Sequence, residues 1–117
     1  MITIPEEGYL LRIFIGESDK MDGKPLYEWL VTQAKLRGLA GATVVRGMMG
    51  FGAHTKIIHT FKIERLSEDL PIVIEIVDRK DKVDDFLTFA ESKIKRGMLA
   101  TTEKVQVRVY RSGKVNK

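Results

Sequence analysis

Apolar and polar positions alternate along several stretches of this 117-residue chain and recur at helical spacing along two others. From Gly8 to Gly16, Tyr9, Leu11, Ile13 and Ile15 fall on one face and Leu10, Arg12 and Phe14 on the other. Two largely apolar faces predict a strand well inside a sheet. Polar Glu17–Lys20 and the turn residues Asp22-Gly23 follow, and Pro25 suits the first position of a helix. Tyr27, Leu30, Val31 and Ala34 then recur at i, i+3, i+4 and i+7 as one buried stripe, and Gly38 stops that helix. Ala42–Arg46 reads as a second strand. Ile57, His59, Phe61 and Ile63 alternate with Ile58, Thr60 and Lys62 as a third. After a loop from Leu66 to Pro71, Ile72–Val77 is a short apolar strand broken only by Glu75. Asp81 is placed to cap a second helix with the stripe Val83, Phe86, Leu87, Ala90 and Ile94, ended by Gly97. Glu103–Arg111 closes the chain as a strand with Val105, Val107 and Val109 inward, and the polar tail 112–117 is expected to fray.

The order is strand–helix–strand, loop, strand, then strand–helix–strand again. Two such halves predict an α+β, ferredoxin-like split βαβ sandwich, with helices on one face of an antiparallel sheet. Residues 1–117 make one domain, large enough to bury a core and too short for two. The other sheet face stays apolar through Leu10, Phe14 and Val73, and in so small a chain its natural cover is another copy of itself.

Composition narrows the class. Hydrophobic residues make up 44% and charged ones 31%, with both signs mixed, as in a soluble globular domain. No apolar run is long enough to span a bilayer and no basic-then-apolar leader opens the chain, so a cytoplasmic protein is expected. Cysteine is absent, which excludes disulfides, thiol nucleophiles and thiolate metal sites. The net charge of +4 is mild and scattered, suiting an anionic small ligand as well as a solvated surface.

Enzymatic chemistry finds little support. The two histidines, His54 and His59, point to opposite faces of an extended chain and cannot chelate one ion together. The carboxylates Asp81, Asp84 and Asp85 are accounted for by a helix N-terminus, and no pair specifies a general acid and base. Neither catalytic nor metal-ligating residues are therefore assigned. Glu17, Asp19 and Asp22 are carboxylates of the kind that accompany Mg²⁺, which keeps Mg²⁺ as a candidate companion ion.

Phosphate binding fares better. Gly38–Gly52, reading GLAGATVVRGMMGFG, holds five glycines around a β-branched run. Gly47, Gly50 and Gly52 free backbone N–H groups to form an anion-binding concavity. Lys56, Arg96, Arg108 and Arg111 are placed to supply charge, with Arg96-Gly97 at a helix end and His54 beside the loop as a contact candidate. Met48, Met49 and Phe51 are large apolar residues in a loop, costly to leave in water unless they meet a ligand or a partner.

Three segments give these residues a family context: Gly23–Ile57, Leu66–Asp78, and the closing strand with its arginines. Over nearly its whole length the chain resembles domain of unknown function 190, a family grouped with PII-like signalling proteins. The remoter likeness to PII proteins follows residue by residue. Gly38-Leu39-Ala40-Gly41-Ala42-Thr43 is similar to the PII helix end G-x-x-G-x-T, and Gly50-Phe51-Gly52 to the G-F-G that opens the PII T-loop. Ile74-Glu75-Ile76-Val77 is similar to its I-E-I-V strand. Of the terminal R-x-R-T-G, only Arg111 falls in register. No tyrosine lies between Phe51 and Phe61, the loop is short, and the G-x-G-D-G-K loop keeps one glycine, Gly97. Nitrogen signalling and 2-oxoglutarate sensing are therefore not carried over.

The resemblance implies a homotrimer binding an adenine nucleotide, ADP or ATP, between subunits and signalling through a mobile loop, Met48–Lys56. The residue reading and the resemblance together give an expected nucleotide site of Gly41, Ala42, Thr43, Gly47, Met48, Gly50, Phe51, Gly52, His54, Lys56, Arg96, Gly97, Arg108 and Arg111. It also implies an unidentified protein target, a membrane transporter being one class, and no nucleic acid. Two alternatives share the fold: a divalent-metal-tolerance protein of the CutA type, and an RNA-binding or enzymatic use of the sheet. The first needs convergent metal ligands. The second needs aromatics on the sheet that stack bases, and no RNP-like run exists.

Overall fold

A computed structural model describes residues 4–52 and 69–113. The strand expected at Ile57–Ile63, the histidines His54 and His59, and Lys56 lie outside the described residues. The first strand, β1 (Glu7–Gly16), buries Leu11, Ile13 and Ile15. It forms antiparallel ladders with β5 (Pro71–Asp78) on one side and β6 (Leu99–Gln106) on the other. A short strand, β4 (Thr43–Arg46), joins the far side of β5, giving the order β4-β5-β1-β6. That order is the split βαβ arrangement the two half-repeats predict. A two-stranded ribbon, β2 (Lys20–Met21) and β3 (Lys24–Pro25), turns at Asp22-Gly23 and leads into the first helix.

Helix α1 (Leu26–Leu36) buries Leu26, Leu30 and Ala34, and α2 (Lys80–Lys93) buries Val83, Phe86 and Ala90. Both stripes join Ile72, Ile74 and Ile76 of β5 in one core. Phe86 is 2% exposed, and burying a ring of that size contributes about 1.5–3 kcal/mol. Trp29 of α1 stacks on Phe89 of α2 with centroids 5.6 Å apart, and the Arg37 guanidinium lies over the Phe89 ring, 3.4 Å from its centroid. The end of α1 is a Schellman motif. Gly38, at φ +80°, donates to Lys35 O at 3.1 Å, and Leu39 N–H donates to Ala34 O at 3.1 Å.

Four local expectations are corrected. Pro25 stands at the N-cap of α1 with ψ 133°, one position before the helix. The N-cap of α2 is Arg79, and Asp81 lies inside the first turn, where it pairs with Arg79. The α2 helix ends at Lys93 because Ile94 swings into the core in an extended conformation, and Gly97 at φ +81° serves the following turn. The last strand runs Leu99–Gln106 and not Glu103–Arg111, because its length is set by β1: Phe14 pairs with Leu99 and Glu7 with Gln106. One further bond, Val107 N–H to Glu6 O at 2.6 Å, follows, and Val109 is 61% exposed where an inward position was expected.

Candidate functional site

The sheet face away from the helices is ordered in transverse rows, because residues opposite one another on antiparallel strands share a face. Val45, Val73, Phe14 and Leu99 make one entirely apolar row across the four strands. Thr43, Glu75, Arg12 and Thr101 make the next, entirely polar. Beyond it Leu10 pairs with Val77 and with Glu103. Arg12 ties the polar row together. Its Nε donates to Glu75 at 2.9 Å, and a terminal nitrogen reaches diagonally to Glu103 at 2.8 Å. These hydrogen bonds, Glu75 first and Glu103 second, raise the Arg12 pKa above its ordinary value.

At one end of this face lies an open hollow of about 520 Å³. One wall is the Ala40–Thr43 segment leading into β4, the floor is Leu10, Arg12, Glu75 and Val77, and the far wall is Val107, Val109 and Tyr110. Its surface is mixed, apolar side chains beside an ion pair. Thr43 on one wall and the ring of Tyr110 on the other suit a flat heteroaromatic group carrying polar edges. Arg108 borders an adjoining hollow of about 320 Å³ with Glu6 and Tyr110.

The glycine loop leaves the other end of β4. Gly47 N–H donates to Pro71 O at 2.7 Å, and a Cβ at Gly47 would stand 2.8 Å from the Pro71 ring. Only glycine allows that approach. Gly50 takes φ +149°, again a glycine conformation. The loop thus folds against Pro71 while Met48 is 94% and Phe51 77% exposed. At its base Arg46 pairs with Glu17 at 3.0 Å.

The expected site residues therefore fall into two groups. Gly41, Ala42 and Thr43 meet the chain around Arg108 at the hollow, while Arg111 is exposed beyond its lining. Gly47, Met48, Gly50, Phe51 and Gly52 lie at the opposite end of β4. Arg96 and Gly97 precede Leu99, which pairs with Phe14, so they share that end of the sheet with the loop but flank the opposite edge strand. Within one chain the two halves of this second group are held apart by the width of the sheet.

Residue-by-residue reading missed two features. One is the Arg12–Glu75–Glu103 cluster, for which the signal is a lone charge in the middle of each of two apolar strands. The other is Asp78, fully buried, where the inward alternation Ile72, Ile74, Ile76 calls for a fourth apolar residue. Among the described residues no three His, Cys, Asp or Glu side chains converge to hold a metal ion, and no helix is long and apolar enough to cross a membrane.

Comparison with known proteins adds a family and a fold. Residues 8–107 match DUF190, described as an uncharacterized ACR, COG1993. A UPF0166 protein of Aquifex aeolicus (strain VF5) is 46% identical over 98 residues, spanning 84% of this chain and 90% of the relative. A UPF0166 protein of Methanocaldococcus jannaschii is 34% identical over 95 residues, spanning 80% of this chain and 86% of the relative. Among solved structures, a protein of Thermus thermophilus described as PII-like superposes with a TM-score of 0.60 at 19% identity, over 92% of this chain and 93% of that one. CPII from Thiomonas intermedia K12, solved bound to ADP, AMP and acetate, also gives 0.60, at 18% identity over 86% and 88% of the two chains. At these identities the structural likeness establishes the fold, which is PII-like.

Proposed function

The chain belongs to the DUF190 family, and on that premise we propose that it is a PII-like regulatory protein that binds an adenine nucleotide. One observation carries the reading. The hollow gathers Gly41–Thr43, from one segment similar to PII, with Glu75 and Val77, from another, and sets the 107–110 stretch opposite them. A structural relative bound to ADP and AMP supports the choice of ligand class. In this reading the base lies in the hollow, and the phosphates avoid Glu75 and Glu103, whose charge would repel them.

The assembly is a homotrimer. The row Val45–Val73–Phe14–Leu99 presents an apolar strip, exposed at Val45 and Leu99 and half-buried between, and the Gly47–Gly52 loop and Arg96-Gly97 flank opposite edges of the described sheet. A neighbouring subunit covers the first and joins the second, placing phosphate-binding backbone from one chain beside an arginine from the next. The exposed Met48, Met49 and Phe51 then face a protein target, such as a membrane transporter, and nucleotide state sets how they are presented. The protein acts by binding, without catalysis.

Calorimetry with ATP, ADP, AMP and a cyclic adenine nucleotide, each with Mg²⁺ and with EDTA, is the test. Saturable binding of one of them at one site per chain is expected. Absence of binding by all four would overturn the reading.

A further inference from the structure

The wall of the hollow nearest α1 is fixed by groups that do not line it. Asp78 closes β5 one residue after Val77, which does line the hollow, and its carboxylate is fully buried. One oxygen accepts the N–H of Ala40 at 2.9 Å and the other the N–H of Arg79 at 2.7 Å. From the first turn of α2, Lys82 Nζ donates to Gly38 O at 2.8 Å. Leu39, between the two anchored residues, is 7% exposed and packs in the core. Beyond Ala40, Gly41 is exposed, and the next fixed point is the β4–β5 ladder, which begins at Thr43 opposite Glu75.

We propose that Asp78, assisted by Lys82, is a positioning residue that sets the Ala40–Thr43 wall at a fixed distance from Val77 and so determines ligand affinity at the hollow. This rests on the adenine-nucleotide reading above. The physical case is the cost of the arrangement. A carboxylate taken out of water is expensive unless hydrogen-bonded, and an isoleucine or valine would continue the inward row more cheaply. Asp78 answers two backbone N–H groups at once, one on each side of the junction between β5, α2 and the α1–β4 connection. Val77, the residue before Asp78, and Ala40 are thereby linked through a single side chain, so the Ala40 end of the wall cannot lift off the floor without breaking a charge-assisted bond, while the β4–β5 ladder holds its Thr43 end. A preorganised wall spares the ligand the cost of ordering it. The same junction begins α2 at Arg79, so occupancy of the hollow and the first turn of that helix are coupled.

The test uses the full chain with Asp78→Asn and, separately, Lys82→Met. The Asn amide presents an N–H₂ group to one of the two N–H donors and breaks that bond while keeping the side chain's volume. Amide hydrogen exchange without ligand reports the clamp. Calorimetry with ADP reports its consequence. Faster exchange at Ala40–Thr43 with unchanged protection of β1 is expected, together with ADP binding weakened about tenfold in Asp78→Asn and less in Lys82→Met. Unchanged exchange at Ala40–Thr43 in Asp78→Asn overturns the clamp. Accelerated exchange with unchanged ADP affinity overturns its role in binding. Should Asp78→Asn fail to fold, Lys82→Met decides by the same two readouts. If another of the four adenine nucleotides binds instead of ADP, that one is the probe; a wild-type protein that binds none of them would bring down the nucleotide reading, and the positioning role with it, while the exchange data would still decide the clamp.

Discussion

Arg79 clasps Asp81 through two hydrogen bonds, 3.1 and 2.9 Å, and holds its carboxyl below the usual carboxylate range. A depressed pKa stabilises the fold at pH above the ordinary value of 3.8 and ceases to do so as pH falls through the lower folded value. Both side chains are well exposed, so salt weakens the effect. Arg79→Ala should move the Asp81 titration, followed by NMR of its carboxyl carbon, back up towards 3.8. An unmoved titration would transfer the depression to the helix N-terminus. Gly47 offers a steric counterpart. Gly47→Ala places a methyl 2.8 Å from the Pro71 ring, and overpacking of that kind costs about 1–3 kcal/mol. Chemical denaturation is expected to register that loss, and an unchanged midpoint would mean that the loop shifts freely off Pro71.

Among the elements, α1 and α2 were the most legible, because a stripe at helical spacing reports burial against any flat partner. Leu30, Ala34, Val83, Phe86 and Ala90 are buried as their spacing predicts, Tyr27, Val31 and Leu87 are half-buried, and Ile94 is buried from outside the helix. Phe86→Ala should cost about 3–5 kcal/mol in a denaturation experiment. A loss under about 1 kcal/mol would mean that the core between α2 and the sheet closes over the gap. Gly38→Ala probes the Schellman turn at the end of α1. The nearest atom to an added Cβ is Lys82 Nζ at 3.8 Å, so the expected loss of about 1 kcal/mol comes from the positive φ alone. The alternation Val105, Val107, Val109 misplaces β6, because it continues past the point where β1 offers a partner. The site was legible in part. Glycine content marks the Gly47–Gly52 loop, but sheet order arises from how the crossovers close, and nothing in the local sequence places Arg96 at the opposite edge. Asp78 was visible only as a break in an inward row.

For the whole molecule, the apolar row of the open face is the feature with the most measurable consequence. At roughly 25 cal/mol per Å², covering several hundred Å² of it would stabilise an assembly by several kcal/mol per subunit. Leu99, 56% exposed at the outer end of the row, tolerates a charge within a single chain. If the proposed trimer forms on this row, Leu99→Glu should leave the fold intact while light scattering shows the assembly dissociating and calorimetry shows the proposed nucleotide binding lost with it. A wild-type chain that is monomeric at micromolar concentration would mean that the row needs no cover. The central place of β1 has one more effect, in time. Strand β1 precedes both of the strands that flank it, and its partners come late: Arg12 reaches Glu75 across 63 positions and Glu103 across 91. At roughly 5–20 residues per second, an emerging chain keeps β1 waiting for several seconds before either neighbour exists. Both ladders of β1 thus await long-range closure and not a local turn, which slows folding relative to a sheet built of hairpins.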